Sequence, residues 1–239
     1  MQIIHPPKRL SDRQLRGIYD QDYVDQYDPH AVRRMRRMLP FLELSGQEVV
    51  VDFGCGNGVL LEVIASRVRE YVGVDFSEEF IRAAERRRDA QAIGKGTFAC
   101  ADLVEFAEGH PNHFDAAFAL DFSEHIYDDQ FLRIFSAIRC ALKPGACLYL
   151  HTPNRDYFIE QLRNRGLLKQ IEGHVAVRSA EDHQALLLQC GFDDVRIRYL
   201  AHYLRLGAAF HGLSALPGVG RYFQARLFVH CRKPNKTRN

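Results

Sequence analysis

The chain has 239 residues, of which 46% are hydrophobic and 26% are charged, and its formal net charge is +2. This composition is typical of a globular protein, and the length fits one α/β domain with some elaboration. Residues 1–10 contain no apolar run, and the longest uncharged stretch near the C-terminus, residues 206–220, is shorter than the roughly 20 residues that span a bilayer. We therefore expect neither a signal peptide nor a membrane span, and we predict a cytoplasmic protein that at most attaches to a membrane surface.

The cysteines and the basic residues give two further expectations. Six cysteines are scattered without a Cys-x-x-Cys pair, which favours reduced thiols in a cytosolic compartment. Basic clusters occur at residues 33–37, 86–88 and 232–238, and no nucleic-acid-binding motif accompanies them. We interpret them as solvated helix faces and a frayed terminus.

The secondary structure can be predicted in chain order. Residues 11–44 have helical spacing, with Tyr19, Tyr23 and Tyr27 four residues apart on one face. Ser77 and Ser179 are predicted helix N-caps, and a third helix has an apolar stripe over residues 131–142. Short apolar runs predict seven strands, which are Val49–Phe53, Tyr71–Asp75, Gly96–Cys100, Phe114–Leu120, Cys147–His151, Val195–Leu200 and Leu227–Cys231.

The order of these elements indicates the fold class. Strands that alternate with helices predict an α/β fold with a doubly wound, mostly parallel sheet of seven strands. The last two strands have no clear crossover helix between them, so we expect an antiparallel hairpin at the sheet edge.

The most informative motif follows the first predicted strand. Asp52 lies near the end of that strand, and Gly54, Gly56 and Gly58 allow a sharp turn in which the backbone can approach a ligand closely. A phosphate-binding loop would avoid the negative charge of Asp52. A fixed carboxylate beside exposed backbone instead suits a ligand with a positive end.

This motif resembles hydrophobic-Asp-hydrophobic-Gly-x-Gly-x-Gly, the strand-one motif of the class I S-adenosylmethionine (SAM)-dependent methyltransferases, which have a Rossmann-like fold. The resemblance covers residues 40–152 well and residues 170–232 loosely. A nicotinamide dinucleotide is the competing cofactor, but its fingerprint requires the third glycine at position 59, which is a valine here.

The resemblance implies a SAM site at the carboxyl ends of the first three strands. Asp52 would lie near the methionine end, Asp75 would hold both ribose hydroxyls, and Asp102 would accept a hydrogen bond from the adenine amino group. The cofactor-binding residues predicted in this way are Asp52, Gly54, Cys55, Gly56, Asp75, Phe76, Asp102, Leu103, Leu120 and Tyr27.

The segments after the fourth and fifth strands resemble the branch that contains the ubiquinone-biosynthesis O-methyltransferases. That branch has Glu-x-x-Glu-His and Thr-Pro-Asn where this chain has Asp121-x-x-Glu124-His125 and residues 152–154. In relatives with the first motif a later histidine completes a divalent metal site, and His174 is the matching candidate. The resemblance leaves two alternatives open: a Mg²⁺, Mn²⁺ or Zn²⁺ site formed by Asp121, Glu124, His125 and His174, or metal-free catalysis with His125 or His174 as the general base. Glu124, His125 and His174 are the predicted catalytic residues.

Two long connections, at residues 153–178 and 201–223, flank this predicted acceptor site. The second is unusually apolar, which suits a lid over an apolar acceptor, a membrane-docking patch or ordinary packing. We divide the chain into an N-terminal helical lid at residues 1–44 and a SAM-binding core at residues 45–239.

The predicted reaction is methyl transfer to an oxygen, or in second place a nitrogen, of a small aromatic or lipid-like acceptor. Two alternatives come from other functional classes: a non-catalytic scaffold subunit of a biosynthetic complex, and an RNA-directed methyltransferase. The three intact acids Asp52, Asp75 and Asp102 argue against a scaffold, and the near-neutral charge argues against an RNA substrate.

Overall fold

The computed structural model describes residues 9–10, 14, 30–202 and 211–235. The strands are β1 (Val49–Phe53), β2 (Glu70–Asp75), β3 (Thr97–Cys100), β4 (Phe114–Leu120), β5 (Leu142–Pro153), β6 (Asp193–Leu200) and β7 (Arg226–Arg232). The α-helices of the described ranges are α1 (Ala31–Arg36), α2 (Val59–Ile64), α3 (Glu78–Ala90), α4 (Leu103–Glu108), α5 (Asp128–Ala141), α6 (Phe158–Asn164) and α7 (Ala180–Gln189).

The seven strands form one sheet in the order β3-β2-β1-β4-β5-β7-β6. Strands β1 to β5 are parallel to one another, whereas β7 is antiparallel to both β5 and β6. The predicted sheet and its antiparallel edge are therefore confirmed. The fifth strand begins five residues earlier than predicted, because the chain enters it directly where α5 ends at Ala141.

Helices cover both faces of the sheet. One face packs against α4, α5 and α7, through residues such as Leu103, Phe135 and Leu187, and the other packs against α1 and α2, through Met35 and Leu60. Strand β1 is therefore buried along its whole length, which explains its uninterrupted apolar sequence. The carboxyl ends of the parallel strands remain as the edge where ligands of such sheets bind.

The helix ends agree with the sequence at two predicted caps. The Ser77 hydroxyl accepts a hydrogen bond from the Phe80 amide before α3, and Ser179 forms a capping box with Asp182 before α7. In the described part of the predicted lid, α1 is followed by a 3₁₀ turn at Leu39–Phe41. Tyr19, Tyr23, Tyr27 and residues 203–210 lie outside the described residues. Within the described ranges, no helix has the length and apolar character needed to cross a membrane.

Candidate functional site

The glycine turn after β1 packs against the end of β2. The amides of Gly54 and Cys55 both donate to the carbonyl of Val74, at 2.8 and 3.1 Å. Gly54, Gly56 and Gly58 have φ angles of +71°, +52° and +72°. Residues with a side chain rarely adopt these backbone angles. Glycine therefore allows the turn to pack against the end of β2.

Asp75 lies at the end of β2 and is buried against this turn. Its two carboxylate oxygens each accept one backbone hydrogen bond of 3.0 Å, from the amides of Gly56 and Ser77. A carboxylate has about four lone-pair positions, so the side chain can also accept from a ligand. Burial raises the pKa of Asp75 to about 6. Two adjacent ligand hydroxyls fit this pattern of acceptors.

Asp52 is the second buried acid of this turn. Its carboxylate accepts a 2.7 Å hydrogen bond from the Tyr71 hydroxyl. Burial, together with the negative charge of Asp75, raises the pKa of Asp52 to about 7. No basic side chain forms an ion pair with Asp52 or Asp75 in the described ranges. The pair therefore favours a ligand that brings a positive group, as the sulfonium and ammonium of SAM would.

The other predicted cofactor residues lie around the same edge. Asp102 precedes α4, and its side chain accepts from the amides of Val104 and Glu105, at 2.9 and 3.4 Å. It thus acts as a helix N-cap, and its contact with adenine stays a prediction. Tyr27 is outside the described residues. The remaining predicted residues are buried or half-buried at this edge: Cys55, Phe76, Leu103 and Leu120.

Asp121, just after β4, has a different environment from the predicted one. Its φ angle is +50°, a conformation that aspartate tolerates better than most residues. Its carboxylate pairs with the guanidinium groups of Arg34 at 2.8 Å and Arg226 at 3.3 Å, and with Nδ1 of His151 at 2.8 Å. These three partners already compensate the charge of the carboxylate, and the group of possible ligands whose atoms lie within 4.8 Å of one another contains Glu124, His125 and His174 without Asp121. That Asp121 is a metal ligand stays a prediction.

Two of these partners were not recognised in the sequence. Arg34 belongs to a cluster that we interpreted as solvated, yet it is only 7% exposed. It shares a helix face with the buried residues Ala31 and Met38, three and four positions away, so helical spacing could have indicated its burial. Arg226 comes from β7, and nothing in its local sequence connects it to Asp121.

Glu124, His125 and His174 do come together. A 3₁₀ turn at Ser123–His125 carries the first two, and the Glu124 carbonyl accepts from the amides of Val175 and Ala176, at 2.9 and 3.1 Å. These bonds bring the loop of His174 onto the turn. One ligand atom from each of the three side chains lies within 4.8 Å of the others.

The Glu124 carboxyl group is buried below this turn. It accepts a 3.1 Å hydrogen bond from the Thr152 hydroxyl at the end of β5. Burial and the negative charge of nearby Asp121 raise the pKa of Glu124 to about 8. At neutral pH the group is therefore mostly protonated, and a bound cation would be needed to keep it ionised.

The two histidines differ in their hydrogen bonds. Nδ1 of His125 donates to the Gly173 carbonyl at 3.0 Å. Nδ1 of His174 is buried without a hydrogen-bond partner. Burial and the neighbouring His125 and Arg226 lower the pKa of His174 to about 3. An imidazole held by a backbone carbonyl, beside a second imidazole and a carboxyl group, fits the donor set of a divalent ion.

Comparison with known proteins gives one family match. The sequence profile described as "Methyltransferase domain" matches residues 24–197. A ubiquinone biosynthesis O-methyltransferase of Idiomarina loihiensis is 34% identical over 108 residues, which are 45% of this chain and 43% of that protein. The chain spans about half the length, or less, of the curated relatives it matches.

Two solved structures show the similarity of fold. A SAM-dependent methyltransferase from Archaeoglobus fulgidus has a TM-score of 0.65 at 20% identity, with 85% of this chain and 93% of that one covered. A phosphoethanolamine N-methyltransferase of Haemonchus contortus, solved with phosphomonomethylethanolamine and S-adenosylhomocysteine (SAH), has a TM-score of 0.69 at 20% identity, with 95% of this chain and 61% of that one covered.

Proposed function

The chain belongs to the methyltransferase-domain family, and on that basis we propose that it transfers the methyl group of SAM to an oxygen atom of a small aromatic or lipid-like acceptor. The observation that carries the proposal is the buried acid pair Asp52 and Asp75, which has no basic partner in the described chain and lies beside the glycine turn. SAM supplies a positively charged sulfonium with an electrophilic methyl group.

The acids and the turn would orient this cofactor. Asp75 has lone pairs for two ribose hydroxyls, and Asp52 provides negative charge for the methionine end. Both side chains are fixed by hydrogen bonds to the protein itself, so they need little rearrangement when the cofactor binds. Such fixed positions favour in-line alignment of acceptor and methyl group, which can supply a large part of the rate enhancement.

Glu124, His125 and His174 would activate the acceptor. We favour a divalent ion held by these three side chains, because one ligand atom from each lies within 4.8 Å of the others and Nδ1 of His174 is buried without a hydrogen-bond partner. When bound, such an ion lowers the pKa of a hydroxyl group next to it. In the metal-free alternative, His125 takes the proton of the acceptor.

Exposed apolar side chains support an acceptor with a hydrophobic body. They lie on both acceptor-side connections, and they are Leu167, Leu168, Ile171, Leu213, Leu216 and Val219. Tyr157, at the start of α6, has a buried hydroxyl without a partner, which could bind a polar end of the acceptor. The names of the curated relatives agree with an acceptor of this type. The same apolar side chains suit contact with a membrane surface.

The experiment combines cofactor binding with a panel of acceptors. Calorimetry should detect SAH binding, and phenols or catechols with apolar substituents should be methylated. Activity should fall in EDTA and return with Mg²⁺, Mn²⁺ or Zn²⁺. His174→Ala should lose turnover but keep SAH affinity. His113→Ala changes an exposed histidine at the opposite end of β4 from Glu124 and His125, so it should retain both.

Each alternative gives a different result. Folded protein that does not bind SAH would end the methyltransferase proposal, and binding without turnover of any acceptor would favour a scaffold subunit. Full activity in excess chelator would leave the metal-free mechanism. Turnover of a charged amine or of RNA, with none for phenols, would show that the acceptor class is wrong.

A further inference from the structure

A second group of metal-binding side chains lies on the antiparallel pair β5 and β7. Across these strands Cys147 is opposite Arg232 and Tyr149 is opposite His230, so all four side chains share one face of the sheet. Glu43, from the segment before β1, reaches the same place. One ligand atom each from Glu43, Cys147 and His230 lies within 4.8 Å of the others.

This cluster is separate from the candidate functional site. Cys147 precedes His151, at the acceptor-side edge, by four strand residues, which corresponds to about 13 Å along β5. None of the hydrogen bonds and ion pairs given above joins Glu43, Cys147 or His230 to the acid pair Asp52 and Asp75, or to the acceptor-side cluster, which consists of Glu124, His125 and His174. The site therefore has no place in the proposed methyl transfer.

The histidine of this cluster has an unsatisfied nitrogen. His230 is 7% exposed, and its Nε2 is buried without a hydrogen-bond partner. Its Nδ1 lies 3.9 Å from a carboxylate oxygen of Glu43. His230 and Glu43 also line a cavity of about 170 Å³. A buried polar atom without a partner is costly unless something binds it, so the imidazole indicates a ligand.

Polar and charged side chains surround the three residues of the cluster. The Tyr149 hydroxyl accepts from the Glu43 amide at 3.0 Å and lies beside the sulfur of Cys147. Arg232 pairs with the Glu43 carboxylate. Metal ligands commonly have outer partners of this kind, which orient the sulfur and the carboxylate.

We propose that Glu43, Cys147 and His230 form a zinc site. A thiolate, an imidazole and a carboxylate are ligands that Zn²⁺ accepts together, whereas Mg²⁺ and Ca²⁺ prefer oxygen alone. On binding, the sulfur–hydrogen bond of Cys147 breaks, a zinc–sulfur bond forms and the proton passes to solvent. Three protein ligands leave the fourth position to water, and the half-exposed Glu43 provides access. The ion would connect the segment before β1 to β5 and β7, and it would stabilise the fold.

The test uses Co²⁺ in place of Zn²⁺, because a cobalt–thiolate bond gives a charge-transfer absorption band in the near ultraviolet. Titration of the metal-free full chain should produce this band, and Zn²⁺ should abolish it by displacing the cobalt. The cluster Glu124, His125 and His174 contains no sulfur, so it cannot produce the band. The two metal sites can therefore be tested independently.

Variants assign the band to specific residues. Cys147→Ser should abolish it, while Cys140→Ser, which changes an exposed cysteine, should retain it. Glu43→Gln changes a half-exposed side chain and should weaken Co²⁺ affinity at least tenfold, with the fold intact by circular dichroism. Zn²⁺ should raise the melting temperature of the wild type more than that of Glu43→Gln, in which the site at Glu124, His125 and His174 is unchanged.

Three results would overturn the zinc site. They are a wild type without the band, a band that survives Cys147→Ser, and wild-type Co²⁺ affinity in Glu43→Gln. If Cys147→Ser does not fold, Glu43→Gln and His230→Gln decide the question by the same affinity measurement.

Discussion

At the ends of β1 and β2, the buried acids Asp52 and Asp75 form no ion pair in the described chain, whereas at the ends of β4 and β5 Asp121 is surrounded by Arg34, His151 and Arg226. The pKa values follow this difference. They are raised to about 7 and about 6 for the first two acids, while the guanidinium and imidazole partners hold the pKa of Asp121 well below its usual range.

This difference in ion pairing indicates that Asp52 and Asp75 have a different role from Asp121, although all three lie at the same edge of the sheet. Two buried carboxylates without counter-ions lower the stability of the ligand-free fold, and they gain most from a ligand that brings positive charge. Asp121 is already neutralised, so it has little to offer a cation. Its ion pairs instead attach α1 and β7 to the end of β4, and it is a structural residue next to the acceptor-side cluster.

The largest expected effect is on stability at Asp121. Asp121→Asn removes the carboxylate that pairs with the guanidinium groups of Arg34 and Arg226, whose side chains are only 8% and 14% exposed. Loss of one partner from a buried ion pair costs about 3–5 kcal/mol. We expect the free energy of unfolding, measured by urea denaturation, to fall by about that amount.

A surface pair provides the control for this change. Asp129 pairs with Arg9, and both side chains are more than half exposed. Asp129→Asn should therefore change the free energy of unfolding by at most about 1 kcal/mol. Equal losses for the two variants would contradict the structural role of Asp121.

The same contrast explains what the sequence could predict. The acid pair, the glycine turn and Ser77 lie within 26 consecutive positions, residues 52–77, so their spacing and hydrophobic pattern could be recognised directly. The partners of Asp121 come from positions 34, 151 and 226, and only tertiary packing brings them together. The strands that form the sheet were likewise predicted from local patterns. Asp121 was assigned to a metal site because residues 121–125 resemble a motif of related methyltransferases, and that local motif contains no sign of its distant partners.

The next effect is on cofactor affinity at Asp75. Asp75→Ala removes the acceptor for the ribose hydroxyls, and a hydrogen bond to a charged group is worth about 1.5–3 kcal/mol. We expect SAH affinity, measured by calorimetry, to fall roughly tenfold to hundredfold. Ser77→Ala keeps the backbone amide that binds Asp75 and loses the helix cap and a hydrogen bond to Glu79, so it should reduce stability by about 1 kcal/mol and leave SAH affinity nearly unchanged.

Comparing Asp75→Ala with Ser77→Ala distinguishes the effect of the carboxylate on SAH affinity from the effect of the neighbouring helix cap. An Asp75→Ala protein with wild-type SAH affinity would show that the carboxylate does not hold the ribose. Tight binding of a nicotinamide dinucleotide by the wild type would return the competing cofactor to consideration.

The smallest expected effect is a pH dependence of cofactor binding. Because the pKa of Asp52 is about 7, the carboxylate is about one-tenth ionised at pH 6 and half ionised at pH 7, and SAH affinity should rise about fivefold between these values if binding requires the ionised form. The ligand's ammonium stays protonated in this window, so the change in affinity comes from the protein.

The stability of the ligand-free protein should change with pH in the opposite direction. An acid with a raised pKa binds more protons in the folded state, so the free energy of unfolding falls as pH rises from about 4 towards 7. Asp52→Asn should reduce the slope of both profiles, measured by calorimetry and by urea denaturation, and Asp75, whose pKa is about 6, accounts for part of the slope that remains. If the variant keeps the wild-type pH dependence, the titrating group lies elsewhere and the electrostatic role of Asp52 is wrong.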